Sequence, residues 1–153
     1  MNDINDVSNE GIDKLLSKLR DSEDYWKNTI EKLSDKLVCS AKEVVSLQAE
    51  TISVRQELSE QIKSMSYHLY KLMPKIKMFR KQRFEYYAGA QSPYATNSSE
   101  RTKLIEWDLA VLDQKKDYLD IHIDYLRESL KNIDNINYAI KNKISLYQLT
   151  EIE

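Results

Sequence analysis

Arg80-Lys81-Gln82-Arg83-Phe84-Glu85-Tyr86-Tyr87-Ala88-Gly89 puts three cations and three aromatics into ten residues, closed by a glycine. Ammonium and guanidinium groups attract phosphate oxygens, and aromatic faces stack on bases. A site that holds single-stranded nucleic acid without reading its sequence needs both. The surroundings extend the pattern. Half of the chain's fourteen aromatics (Tyr67, Tyr70, Phe79, Phe84, Tyr86, Tyr87 and Tyr94) fall between residues 67 and 94. Lys71, Lys75, Lys77, Arg80, Lys81 and Arg83 share that window, and no acid lies between Lys75 and Arg83. On a helix, three- and four-residue steps put Lys77, Arg80, Lys81 and Phe84 on one face and Phe79, Arg83 and Tyr86 on another. Phe79 continues an apolar stripe and reads as core. Tyr86 and Tyr87 are adjacent, so both cannot face one core.

Other chemistry finds little support. His68 and His122 are the only histidines, and His122 lies between Ile121 and Ile123. That setting fits a structural histidine better than a base or a ligand. Asp113, Asp117, Asp120 and Asp124 align at helical spacing, which reads as a solvated face or an inter-subunit salt-bridge row. Cys39 is the single cysteine, so there is no intramolecular disulfide and no zinc spacing, as in a reducing compartment. No phosphate-binding glycine loop or nucleophile motif occurs. The expectation is no enzyme, no cofactor and no metal.

Charge is distributed unevenly. The net is −2 overall, which does not predict unspecific binding to a polyanion. Residues 1–62 carry 8 Lys/Arg against 13 Asp/Glu, and residues 104–153 carry 6 against 10. Residues 63–103 carry 9 against 2, a net of +7. A basic middle sits between acidic flanks. The polar, acidic start Met1-Asn2-Asp3-Ile4-Asn5-Asp6 does not read as a signal peptide. No apolar run approaches the ~20 residues of a membrane span. A soluble intracellular protein without a membrane partner is expected.

The elements that must position this chemistry are helices. Two Gly and two Pro in 153 residues leave few breaks. Ile105, Leu109, Leu112, Lys116, Leu119, Ile123, Leu126, Leu130, Ile133, Asn137, Ile140, Ile144 and Tyr147 follow alternating four-three steps, a heptad seam. It predicts a helix over 98–147, opened by a capping box of Asn97 and Glu100. Such a seam must be buried, against the chain's own helices or a partner's. Upstream, Ile12, Leu16, Leu19, Trp26, Ile30, Leu33, Leu37, Val44, Leu47, Val54 and Leu58 share a second frame, interrupted at Glu23, Ser40 and Thr51. A four-residue stutter between 54 and 62 shifts it onto Ile62, Met65, Leu69, Leu72, Ile76 and Phe79. A break is expected between Ser34 and Lys42, a kink at Pro74, and a helix end at Gly89. The loop Ala88–Ser99, with Pro93, lets the flanking helices fold back. The fold class is all-α: long helices, an antiparallel hairpin over about 42–87 and 98–148, and a coiled-coil-like oligomerisation seam. Residues 1–40 form an N-terminal helical region and residues 41–153 the hairpin with the motif.

The segment Arg80–Gly89, with Tyr86-Tyr87-x-Gly89, resembles the signature of the UvsY family, recombination mediators of tailed phages. Tyr118-Leu119-Asp120, Tyr125-Leu126, Leu130-Lys131-Asn132-Ile133-Asp134-Asn135 and Tyr138-Ala139-Ile140-Lys141-Asn142 are similar to that family's C-terminal helix. The resemblance covers about 75–149, while residues 1–60 show no match to it. It implies a protein that binds single-stranded DNA and helps a phage recombinase replace the single-strand-binding protein. It also implies a homo-oligomeric ring of six or seven and a place in the cytoplasm of the infected host. By this likeness Lys81 and Arg83 are the basic DNA contacts and about 116–149 is the oligomerisation helix. Together with the residue reading, the expected DNA site is Lys77, Arg80, Lys81, Arg83, Phe84, Tyr86 and Tyr87. The expected oligomer contacts are Leu119, Ile123, Leu126, Leu130, Ile133, Asn137, Ile140 and Ile144. The heptad seam equally fits a coiled-coil scaffold that binds only protein.

Overall fold

The structure, a computed structural model, describes residues 9–89 and 97–150. Most of the expected loop, Pro93 and Tyr94 included, lies outside the described residues, as do 1–8 and 151–153. Three helices account for nearly all the rest: α1 (Asn9–Asp35), α2 (Ala41–Ala88) and α3 (Ser98–Thr150). The fold is all-α, as the composition predicts.

The helix ends have local causes. α1 stops at Asp35, and the five residues before α2 match the break predicted near Ser34–Lys42. α2 opens on a capping box. Glu43 accepts from the Ser40 backbone N–H and hydroxyl, both at 2.8 Å. These bonds favour the carboxylate and hold the Glu43 pKa below its usual value. α3 opens on Asn97, whose Oδ1 accepts from the Glu100 N–H at 2.9 Å. α2 is unbroken across Pro74. Proline leaves the Tyr70 carbonyl without its helical N–H, and Pro74 and Tyr70 are both exposed, so water can replace the bond.

The chain forms two compact units, and each draws on all three helices. The first comprises residues 1–18 and 65–121. Ile12 and Leu15 of α1, Leu72 and Ile76 of α2, and Ile105, Leu109, Leu112 and Leu119 of α3 are buried there. Leu15, rather than the Leu16 of the expected frame, is the more buried neighbour. Lys115 is fully buried as well. Within this unit Tyr87 and Arg83 meet Asp108 while Arg80 meets Asp113, so α2 and α3 run antiparallel.

The second unit comprises residues 19–64 and 122–153. Leu33, Val44, Leu47, Ile136 and Ile140 form one cluster in it, and Trp26, Leu58, Ile123, Leu126 and Ile133 are buried in the same unit. Of the three expected interruptions, Ser40 falls in the break before α2, and Glu23 and Thr51 are accommodated. The Thr51 hydroxyl donates to Leu47 O at 2.8 Å inside the core. Tyr125 donates to Glu23 O at 2.9 Å. Trp26 Nε1 donates to Gln61, whose amide in turn donates to Ser22.

The α3 seam is covered by the chain's own helices. Leu119, Leu126, Ile133 and Ile140 are fully buried and Ile123 nearly so. Leu130, Asn137 and Ile144 are half-buried. Of the two coverings a heptad seam admits, its own helices or a partner's, the fold uses the first. These apolar side chains supply the core, and each contributes roughly 1.5–3 kcal/mol by leaving water.

Candidate nucleic-acid interface

The expected DNA residues occupy the last three turns of α2 in the first unit. Helical spacing divides them into an outer face, two flanks and one core position. Lys77 and Lys81 lie on the outer face and are exposed. Lys81 is loosely paired with Glu85, at 3.9 Å on its own helix. Arg80 and Phe84 turn toward α3, where they line a shallow groove with Thr102, Ile105 and Glu106. Arg80 stands 3.9 Å from Asp113, and Phe84 remains exposed.

Arg83 lies on the opposite flank. Its guanidinium sits over the rings of Phe79, at 4.9 Å, and Tyr86, at 5.9 Å. It is also 3.5 Å from Asp108. Cation–π stacking and the ion pair both orient it. Tyr86 is half exposed and packs edge-on against Tyr87. Tyr87 is buried, and its hydroxyl donates to Asp108 Oδ2 at 2.7 Å. That bond to a carboxylate, with burial second, raises the Tyr87 pKa above its usual value. Tyr87 therefore anchors α2 to α3, and of the adjacent tyrosines only Tyr86 keeps an open ring.

Asp108 is the residue that sequence reasoning missed. It joins the basic segment from twenty-one positions beyond Tyr87, on a helix whose register against α2 has no local signal. Tyr67 and Tyr70 lie in the aromatic window but outside the expected DNA site. They share the outer face with Lys77 and Lys81, reached by steps 67, 70, 74, 77 and 81. Gly89 ends α2 as expected: its N–H donates to Glu85 O and Tyr86 O. It does so without a positive φ, and a Cβ there would meet nothing closer than 3.5 Å.

The acidic row of α3 is ion-paired. Asp113 faces Arg80, Asp117 and Asp120 face Lys116, and Asp124 faces Arg127. Among the described residues no cluster of His, Cys, Asp or Glu is arranged to hold a metal ion. No described helix is long and apolar enough to cross a membrane.

These features define an all-helical protein that displays a basic-aromatic face at the end of one helix. A family profile described as "Recombination, repair and ssDNA binding protein UvsY" matches residues 26–151. The chain belongs to the UvsY family. The match begins well before residue 75, so it also takes in residues 26–60, where the sequence by itself shows no likeness to the family. Among solved structures, the crystal structure of the bacteriophage T4 recombination mediator protein UvsY has the same fold, with a TM-score of 0.61 at 17% identity. That alignment covers 81% of this chain and 97% of the T4 chain. No curated protein sequence matches the chain.

Proposed function

We propose that the chain is a recombination mediator that holds single-stranded DNA on the outer part of α2. In this role it helps a phage recombinase onto DNA covered by single-strand-binding protein, in the host cytoplasm. Lys77, Arg80, Lys81 and Arg83 hold phosphates, and Phe84 and Tyr86 offer stacking faces. The observation that carries this reading is the exposure of both rings beside four cations, in a family described by single-stranded DNA binding. Tyr87 supports the site by holding the helix end rather than by stacking. Copies of the chain assembled as a homo-oligomer, a ring of six or seven, would present several such faces to one strand. Linked sites gain avidity without any new contact. The alternative, a coiled-coil scaffold that binds only protein, rests on the heptad seam, most of which the chain's own helices bury.

The test is a fluorescence titration with a single-stranded oligonucleotide over a range of salt. Four phosphate contacts limit the slope of log affinity against log salt to about −2.8 per protomer, at about −0.7 for each contact. Lys81→Ala with Arg83→Ala should weaken binding and remove up to about 1.4 from that slope. Unchanged affinity and slope in the folded double variant would take these residues out of the site.

A further inference from the structure

The outer face of α2 continues past Lys77 toward the start of the first unit. Three- and four-residue steps lead from Phe84 through Lys81, Lys77 and Pro74 to Tyr70 and Tyr67. Tyr70 is 74% exposed and Tyr67 56%. Rings of this size normally bury most of their surface. The Lys71 ammonium lies 4.5 Å over the Tyr67 ring. Between Tyr67 and Phe84 the sequence contains no acid at all. A polyanion laid along this face meets lysines and aromatic rings, and the first carboxylate of α2 it meets is Glu85, beyond Phe84 and 3.9 Å from Lys81.

We propose that Tyr70, flanked by Tyr67 and Lys71, is a second stacking platform for the same single strand. The proposal rests on the reading that the strand lies on this face. Fourteen residues separate Tyr70 from Phe84, about 21 Å at 1.5 Å per residue. That distance spans about six nucleotides at a stacked spacing of about 3.4 Å, and fewer if the strand is extended. The two platforms stand at the ends of a track, with Lys77 and Lys81 between them to hold phosphates. Lys71 can pass from the Tyr67 ring to a phosphate as a base takes its place, because both contacts use the same ammonium. Aromatic faces accept every base, so the track lengthens the site without adding sequence preference.

The experiment uses the full chain and oligothymidylates of about 3 and about 15 nucleotides, the shorter too short for the track even when extended, read by fluorescence anisotropy. Tyr70→Ala should weaken the long oligonucleotide at least about fivefold, the low end for losing one base stack. The short one, which cannot reach both platforms, should change less than about twofold. The salt slope should stay the same, because no phosphate contact is lost, and Tyr70→Phe should restore affinity. Tyr67→Ala should act in the same direction. Helicity by circular dichroism checks folding, and both rings are exposed enough that neither variant should alter it. No loss on the long strand, or equal losses on both lengths, overturns the second platform. If Lys81→Ala with Arg83→Ala still weakens binding in that case, the platform alone is wrong. If that double variant is also inert, the strand does not lie on α2 and both ideas fall. If Tyr70→Ala leaves DNA binding intact but abolishes capture of a recombinase, the face is a protein surface and the platform is refuted.

Discussion

If the strand lies on this face as proposed, Asp108 should weaken DNA affinity from outside the basic segment. It lies 3.5 Å from Arg83, with side chains 24% and 37% exposed respectively. At that separation and an effective dielectric of about 20 the bare Coulomb attraction is about 5 kcal/mol. Partly exposed pairs retain far less, about 1 kcal/mol or below, because water and salt screen them. A phosphate that takes Arg83 must replace this pair. Asp108, once unpaired, draws a cation from solution, which cancels about one of the counterions released from the DNA. Asp108→Asn removes the charge and keeps an oxygen to accept the Tyr87 hydroxyl. Binding should therefore tighten by up to about 1 kcal/mol, roughly fivefold, and the salt slope should steepen by about 0.7.

The assay is the same oligonucleotide titration at several salt concentrations, together with an absorbance titration of the tyrosines. The second readout shows that the contact itself has changed. The Tyr87 phenol is held above its ordinary value of 10 first by its bond to the Asp108 carboxylate. The neutral amide should bring it down. Because the folded value is raised, this bond stabilises the helix end at neutral pH. The stabilisation is lost as pH climbs above about 10 and through the folded value. Weaker binding, or an unchanged slope, in a folded Asp108→Asn protein would refute the competition. Asp108 would then serve only to position Arg83 over Phe79 and Tyr86.

Two further perturbations test the fold that presents this face. His122 is almost completely buried, neither ring nitrogen makes a hydrogen bond, and Nδ1 stands 3.6 Å from Glu23. Burial lowers its pKa below 6.5, and Glu23 opposes that only in part. With the folded value depressed, stability is full above about 6.5 and falls as pH drops below it. The thermal midpoint of the wild type should therefore fall from pH 7 toward 5, and His122→Leu should remove that part of the fall. An identical profile in the variant would reject it. Ile140 has no exposed surface. Ile140→Asp buries an unpaired charge, so helicity and the cooperative thermal transition should be lost together. Retained helicity with a smaller mass in sedimentation would instead assign the seam to contacts between copies.

The helices were legible because they depend on local signals. The scarcity of Gly and Pro gave their length, the Asn97–Glu100 pair marked the start of α3, and Gly89 marked the end of α2. The break near residues 36–40 was legible as a weakening of the apolar frame. The heptad seam identified most of the buried apolar residues of α3, though Lys115, His122, Ser129 and Ile136 are buried beside it, and it did not show what buries them, because a partner helix and the chain's own present the same apolar surface. Tyr86 and Tyr87 show the same limit at the site. Adjacency showed that only one could face the core. Which one depends on Asp108, and that contact exists only once α2 and α3 pack in register. Exposure of Tyr67 and Tyr70 was hidden for a related reason: aromatics at helical spacing usually mark core, and only the packed unit reveals which face is left outside.

The acidic balance of the chain is consistent with a single-strand site once the partners of each cation are considered. Arg80 and Arg83 each face an aspartate of α3, and Lys81 faces Glu85 at long range. Full phosphate binding at these positions requires exchange of existing pairs, so each contributes less than an isolated cation. Such a face binds a polyanion weakly through charge alone and releases it readily as salt rises. Stacking on open rings is less sensitive to salt and works for any base. A protein that must hold single strands of every sequence, and then give them up to another protein, benefits from this division. In the proposed role the rings would supply sequence-tolerant grip, and the paired cations would keep the grip reversible.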